Sequence, residues 1–187
     1  MPWGLITSSL WLAWLIYWMV SAVGNKVTRR RESFLSGLAY RIPTDISIFL
    51  LLPHRHSLWL SHRFLPPIDV FHWLGVGILA FGLGFSVWAR VHLARNWSGT
   101  VTLKENHELI RTGPYRYVRH PIYTGLLLGV LGSAIVGGER HGLLAVGFLV
   151  LGFVIKLRME ERWMGETFGE QYAQYKKEVA ALIPGIF

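Results

Sequence analysis

Residues 121–157 read PIYTGLLLGVLGSAIVGGERHGLLAVGFLVLGFVIKL. Two apolar runs, Pro121 to Gly137 and Gly142 to Leu157, flank one polar link, Gly138-Glu139-Arg140-His141. A helix needs about 20 apolar residues to cross the hydrocarbon core, with a lower limit of about 17. A link this short folds two helices antiparallel. The stretch therefore predicts a membrane hairpin whose outer ends, before Pro121 and after Leu157, meet on one side of the bilayer.

Three further runs lie upstream. Trp3 to Val23 is uncharged, and its basic residues, Lys26, Arg29, Arg30 and Arg31, follow it. A signal peptide carries its charge first, so this run reads as an uncleaved anchor with its N-terminus outside. Ile68 to Ala89 follows Pro66-Pro67 and is equally clear. Ile42 to Pro53 is shorter, with Asp45 near its start. It either lengthens through Leu58-Trp59-Leu60 or forms a broken, tilted or re-entrant helix. The fold class is all-α: an integral membrane bundle of about five transmembrane helices, one domain over 1–187. Residues 1–87 supply N-terminal membrane helices, and 88–187 form the second half.

Composition agrees. Of the 187 residues, 52% are hydrophobic and only 16% charged, with nine Trp, whereas a soluble domain is nearer a quarter charged. Disorder is excluded by the same figures. With no Cys, disulfides, thiol nucleophiles and Cys-ligated metals are excluded too. The net charge is +8 and the pI about 10.1. For five spans with the N-terminus out, segments 24–41, 90–120 and 156–187 lie inside and hold sixteen Lys and Arg. Only Arg55, Arg63 and Arg140 lie outside. This positive-inside bias accounts for the basic pI without nucleic acid as a partner.

Beyond Leu157, Met159, Trp163, Phe168, Tyr172, Tyr175, Val179 and Leu182 recur at near-helical spacing. They predict a cytoplasmic amphipathic helix, weakened or broken at Gly165 and Gly169 and ended by Pro184. Small residues such as Gly82, Gly125 and Gly129 predict close helix contact.

Several apparent motifs lack their context. Gly75-Val76-Gly77-Ile78-Leu79-Ala80 matches a dinucleotide fingerprint but sits inside a membrane run with no strand before it. Asn96-Trp97-Ser98 is a glycosylation sequon on the inner side. His54, His56 and His62 have no carboxylate partners in their loop, and no metal is implied.

The informative residues abut the hairpin's outer ends: HELIRTGPYRYVRHPIYTG at 107–125 and KLRMEERWMGETFG at 156–169. Pro121 suits the first position of a helix. The unpaired N–H groups of that turn, the helix dipole and Arg119 suit an anion, although a basic residue beside a helix start is also common at a membrane edge. Glu160-Glu161 either pairs with neighbouring cations, as Lys156/Glu160 spacing allows, or receives a cationic group. An anion receiver beside a cation receiver suits a zwitterion. Tyr115, Tyr117, Tyr123 and Trp163 add aromatic faces for a ring or a sulfonium.

These motifs, from His107 to Gly125, then Glu160-Glu161-Arg162-Trp163-Met164, then Phe168-Gly169-Glu170-Gln171-Tyr172 through Pro184, resemble the isoprenylcysteine carboxyl methyltransferase family of integral membrane enzymes. The likeness covers about 88–187. It implies S-adenosylmethionine as cofactor, an active site at the cytoplasmic face, and a lipophilic or lipidated acceptor taken from the bilayer, with membrane lipids as surroundings. It implies cofactor contacts at Thr100, His107, Leu109, Ile110, Tyr115, His120, Pro121, Ile122, Tyr123 and Glu160. Met164 replaces the family's Leu, and Lys156 stands where the eukaryotic enzymes have a substrate-binding Arg. Arg119, Lys156 and Arg158 are the candidates to hold an anionic acceptor during methyl transfer; the alternative for each, and for Arg158 above all, is a snorkelling interfacial cation. Alternative readings are a phospholipid amine N-methyltransferase, a nicotinamide-dependent sterol reductase, and a non-catalytic sensor or scaffold.

Overall fold

The computed structural model describes residues 2–23, 28–52, 59–104 and 108–185. Among them are six helices: α1 (Pro2–Ser21), α2 (Phe34–Leu51), α3 (Asp69–Leu93), α4 (Pro121–Gly137), α5 (Arg140–Phe168) and α6 (Glu170–Glu178). One short antiparallel ribbon joins β1 (Thr28–Arg31) to β2 (Thr102–Lys104). α1, α2, α3 and α5 are long and apolar enough to cross a membrane, and α4 is a shorter apolar helix of 17 residues.

The bundle is built on glycine contacts. A Cβ added at Gly82 would lie 2.5 Å from Gly125 O, and one at Gly125 would lie 2.5 Å from Gly82 O. The α3 and α4 backbones touch there, which only residues without side chains permit. On the other flank, a Cβ at Gly152 of α5 would meet Thr44 Oγ1 of α2 at 2.6 Å. α1 differs, because none of its residues is fully buried. Leu5, Leu12, Leu15, Ile16 and Met19 face outward. The opposite face carries indoles: Trp11 Nε1 donates to Ser133 Oγ at 3.0 Å and Trp14 Nε1 to Ser86 Oγ at 2.8 Å.

Two expected boundaries are corrected. The second span begins at Phe34, with Ser33 as its N-cap, and ends at Leu51. Trp59 and Leu60 lie in a turn outside it, so the span extends toward the N-terminus rather than through them; Leu58 lies outside the described residues. Charges that interrupt the apolar pattern are satisfied locally: buried Glu32 accepts from the Tyr40 hydroxyl and from Arg41, the latter at 3.0 Å. The helical tail is broken at Gly169, one of the two glycines expected to weaken or break it, but it ends before Pro184. α5 runs unbroken through Gly165 to Phe168 and stops where Gly169 adopts φ +51°. α6 then ends at Glu178, and the chain is extended from Val179.

The helix directions bring the C-termini of α1, α3 and α5 and the N-termini of α2 and α4 to one end. At the other end α4 turns into α5 through Gly138, at φ +66°. His62 sits in the turn there, its carbonyl accepting from Arg140 N–H at 3.1 Å. His54 and His56 lie outside the described residues.

Candidate functional site

The corner before α4 is held by main-chain bonds to the tail. Arg119 N–H donates to Ala180 O at 2.8 Å and His120 N–H to Ala181 O at 3.0 Å. Thr124 Oγ1 donates to Leu182 O at 2.7 Å, and the Tyr175 hydroxyl donates to Tyr115 O. Pro121 opens α4 and no side chain caps the helix, so its first-turn N–H groups keep their capacity for an acceptor.

Glu160 and Glu161 project from α5, beyond its apolar stretch, and have different surroundings. Tyr123 Oη donates to Glu160 Oε1 at 2.6 Å, and His120 Nδ1 lies 3.6 Å from Glu160 Oε2. Glu161 is fully engaged: Arg119 reaches its Oε1 at 2.6 Å, His120 Nε2 at 3.3 Å, and Lys176 reaches Oε2 at 2.8 Å. Burial raises the Glu161 pKa, but hydrogen bonds from His120, Lys176 and Arg119 outweigh it and hold the carboxyl at about 2. His120 thus stands between two carboxylates, its ring stacked on Tyr123 at 5.4 Å.

Lys156 is 8% exposed. Its Nζ donates to Gly99 O at 2.8 Å and lies 5.2 Å from the Tyr40 ring and 5.3 Å from the Tyr123 ring. An ammonium has three protons, so this bond leaves donor capacity for an anion. Arg90 is buried, donates to the carbonyls of Ala94 and Ser21, and stacks over Trp97 at 4.8 Å. It ties the end of α1 to that of α3.

Arg119, His120, Tyr123, Lys156 and Glu160 line one cavity of about 300 Å³. Of the residues singled out in the sequence, Thr100, Leu109, Ile110, Tyr115, Arg119, His120, Pro121, Ile122, Tyr123, Lys156 and Glu160 all line it. His107 lies outside the described residues. Arg158 is exposed and is not among the lining residues, so the structure does not bring it to the site. Arg119 lines the cavity, but its guanidinium is occupied by Glu161 and Val179 O and is not free to hold an acceptor.

A family model described as phospholipid methyltransferase matches residues 70–171, more than half of the chain. The chain belongs to the phospholipid methyltransferase family. The match takes in α3, α4, α5 and the start of α6. The protein-S-isoprenylcysteine O-methyltransferase of Schizosaccharomyces pombe is 31% identical over 119 residues, 62% of this chain and 50% of that one. The cobalt-zinc-cadmium resistance protein CzcN of Cupriavidus metallidurans is 29% identical over 167 residues, 87% of this chain and 68% of that one. The solved structure of the eukaryotic intramembrane Ras methyltransferase ICMT shares the fold, with a TM-score of 0.53 and 23% identity, over 91% of this chain and 53% of that one. The likeness to isoprenylcysteine carboxyl methyltransferases expected from the motifs is borne out, and this member of the family is an integral membrane protein. It spans about half the length of the isoprenylcysteine methyltransferases it matches first.

Sequence reasoning missed Trp14, Trp18, Trp97 and Phe153, which also line the cavity. Trp11, Trp14 and Trp18 recur at i, i+3 and i+7, the spacing of one helix face. Read that way, the spacing points α1 inward. Glu161 was left unassigned because no sequence pattern tells which of two adjacent carboxylates meets the cations.

Proposed function

We propose that the protein is an S-adenosylmethionine-dependent methyltransferase that esterifies the carboxylate of a lipophilic, isoprenylcysteine-like acceptor at the cytoplasmic face. The observation that carries this is a single cavity joining the Glu160–His120 corner to buried Lys156 and, beyond it, to an apolar end.

The lining fits the cofactor. Glu160 offers a carboxylate to an ammonium, and the uncapped start of α4 offers N–H groups to a carboxylate. Trp18, Trp97 and Tyr115 offer ring faces. Asn96 Oδ1 and Thr102 Oγ1 belong to lining residues and are buried without a partner among the described residues, as a wall is where a polar ligand completes the hydrogen bonding. When bound, the cofactor supplies a methyl group already activated on a sulfonium. The chain's own residues then align and shield. Lys156 pairs with the acceptor carboxylate, Tyr123 and His120 fix Glu160, and the tail bonded to 118–120 keeps water out. A carboxylate needs no general base. Orientation rests on the sixteen inner cations.

The family model's own description favours a second reading, transfer to a phospholipid amine. Membranes incubated with methyl-labelled S-adenosylmethionine, extracted and treated with mild base, separate the two. A methyl ester releases its label, and an N-methyl group retains it. No label in any lipid-soluble product refutes both.

A further inference from the structure

The cavity has two unlike ends. Arg119, His120 and Glu160 stand at one; Trp14, Leu126 and Phe153 stand at the other, deeper along α1, α4 and α5. Two aromatic ladders connect them. In the first, His120 stacks on Tyr123 and Tyr123 stacks on Phe153 at 4.6 Å. In the second, Trp97 meets Trp18 edge-on at 5.5 Å and Trp18 stacks on Trp14 at 4.5 Å. The Trp14 N–H is held by Ser86, so the deep end presents ring faces and hydrocarbon.

Trp11 lies just past that end. It is not a lining residue, meets Trp14 edge-on at 5.8 Å, and packs against the cluster that contains Phe153. Its ring fills the notch over Gly129, 3.2 Å from where a Cβ would stand. The bond from its N–H to Ser133 fixes the ring in hydrocarbon, where no water replaces a lost partner. A chain continuing down α4 from Leu126 meets this ring.

Resting on the methyltransferase reading, we propose that the α1 indoles measure the acceptor's hydrocarbon tail: Trp14 and Trp18 form the wall it lies along, and Trp11 is the stop that limits its length. The acceptor is then an amphiphile with an anionic head near Lys156 and a tail of bounded reach. The family match begins at residue 70, so this selectivity resides in a helix outside the matched region.

The test is a series of N-acetylcysteine thioethers with straight alkyl chains of increasing length, assayed with methyl-labelled S-adenosylmethionine. In the native protein turnover rises with length. It then falls by about tenfold or more once the tail must displace a packed ring. Trp11→Ala moves that fall to longer chains. Ser133 stays paired in the variant because its hydroxyl also donates to Gly129 O at 3.0 Å. Calorimetric affinity for S-adenosylmethionine stays at the native value. Displacement of a fluorescent fatty acid by the same series, without cofactor, reads the tail site independently of chemistry. A length profile unchanged by Trp11→Ala in both assays overturns the stop. A profile that shifts in displacement, with no methyl transfer by the native protein, supports the stop and refutes the methyltransferase reading.

Discussion

The two ends of the bundle are made from the same helices and serve opposite ends. Where α4 turns into α5, polar side chains bond uncharged main-chain carbonyls. Arg63 Nε donates to Leu65 O at 3.1 Å, His72 Nδ1 lies 2.9 Å from Ile68 O, and His141 Nδ1 lies 2.9 Å from Leu50 O. At the opposite end, charged side chains from the corner before α4, from α5 and from α6 bond one another across elements. Neutral carbonyl partners fasten the first end without leaving charge exposed to a cavity. At the second end charged groups from separate elements meet one another, which fixes their positions and leaves acceptor and donor capacity facing inward.

The largest test of this contrast is Glu161→Ala. It strands Arg119 in a partly buried setting, and breaking such a pair costs about 3–5 kcal/mol. His141→Ala at the other end removes the bond to Leu50 O and the 3.3 Å contact with half-exposed Glu139, together worth about 1–2 kcal/mol. Denaturation of both variants in the same detergent reads the difference; equal losses would erase the distinction between the ends.

Next in size is cofactor affinity. Glu160→Gln and His120→Ala each weaken S-adenosylmethionine binding by about tenfold to a hundredfold, the worth of a hydrogen bond to a charged group. His141→Ala leaves it unchanged. Native-like titrations for both site variants would remove Glu160 and His120 from the cofactor site.

Acid sharpens the comparison. The folded pKa of Glu161, about 2, lies below its ordinary 4.5. Its stabilisation is therefore complete above pH 4.5 and is lost as pH falls through 2. The stability difference between the native protein and Glu161→Gln should shrink across that window. A difference independent of pH would mean that the carboxylate charge contributes nothing.

The smallest effects belong to the periphery. The Arg111–Glu178 pair is about two-fifths exposed on both sides, so Arg111→Ala costs roughly 0–1 kcal/mol. Arg158→Ala leaves turnover near native. A large loss of turnover on replacing Arg158 would return it to the site.

Much of this arrangement was legible before the structure. The hairpin at 121–157 follows from run length and link length, and its outer ends necessarily meet. The contacts of Arg119 were not legible, because a lone cation at a helix start suits a ligand as well as a neighbouring carboxylate. The outward placement of Arg158 was not legible, because a basic residue just past a membrane run suits an anionic ligand as well as the membrane edge. The start of α2 was hidden by Arg41 and Glu32, whose mutual pairing depends on a tertiary fold. The contribution of α1 was masked by its apolarity on every face, and only the i, i+3, i+7 spacing of Trp11, Trp14 and Trp18 marks the inward side.

The strap of residues 180–182 over 118–120 also sets an order of assembly during synthesis. Chains fold from the N-terminus as they emerge, so α1 to α5 are available to the membrane before the strap leaves the ribosome. The nascent bundle carries its indoles, Lys156 and both carboxylates while its corner is still unfastened. The strap arrives only after α5 and α6, so a chain halted before residue 180 would be inserted while the corner that carries Arg119 and His120 is still unfastened.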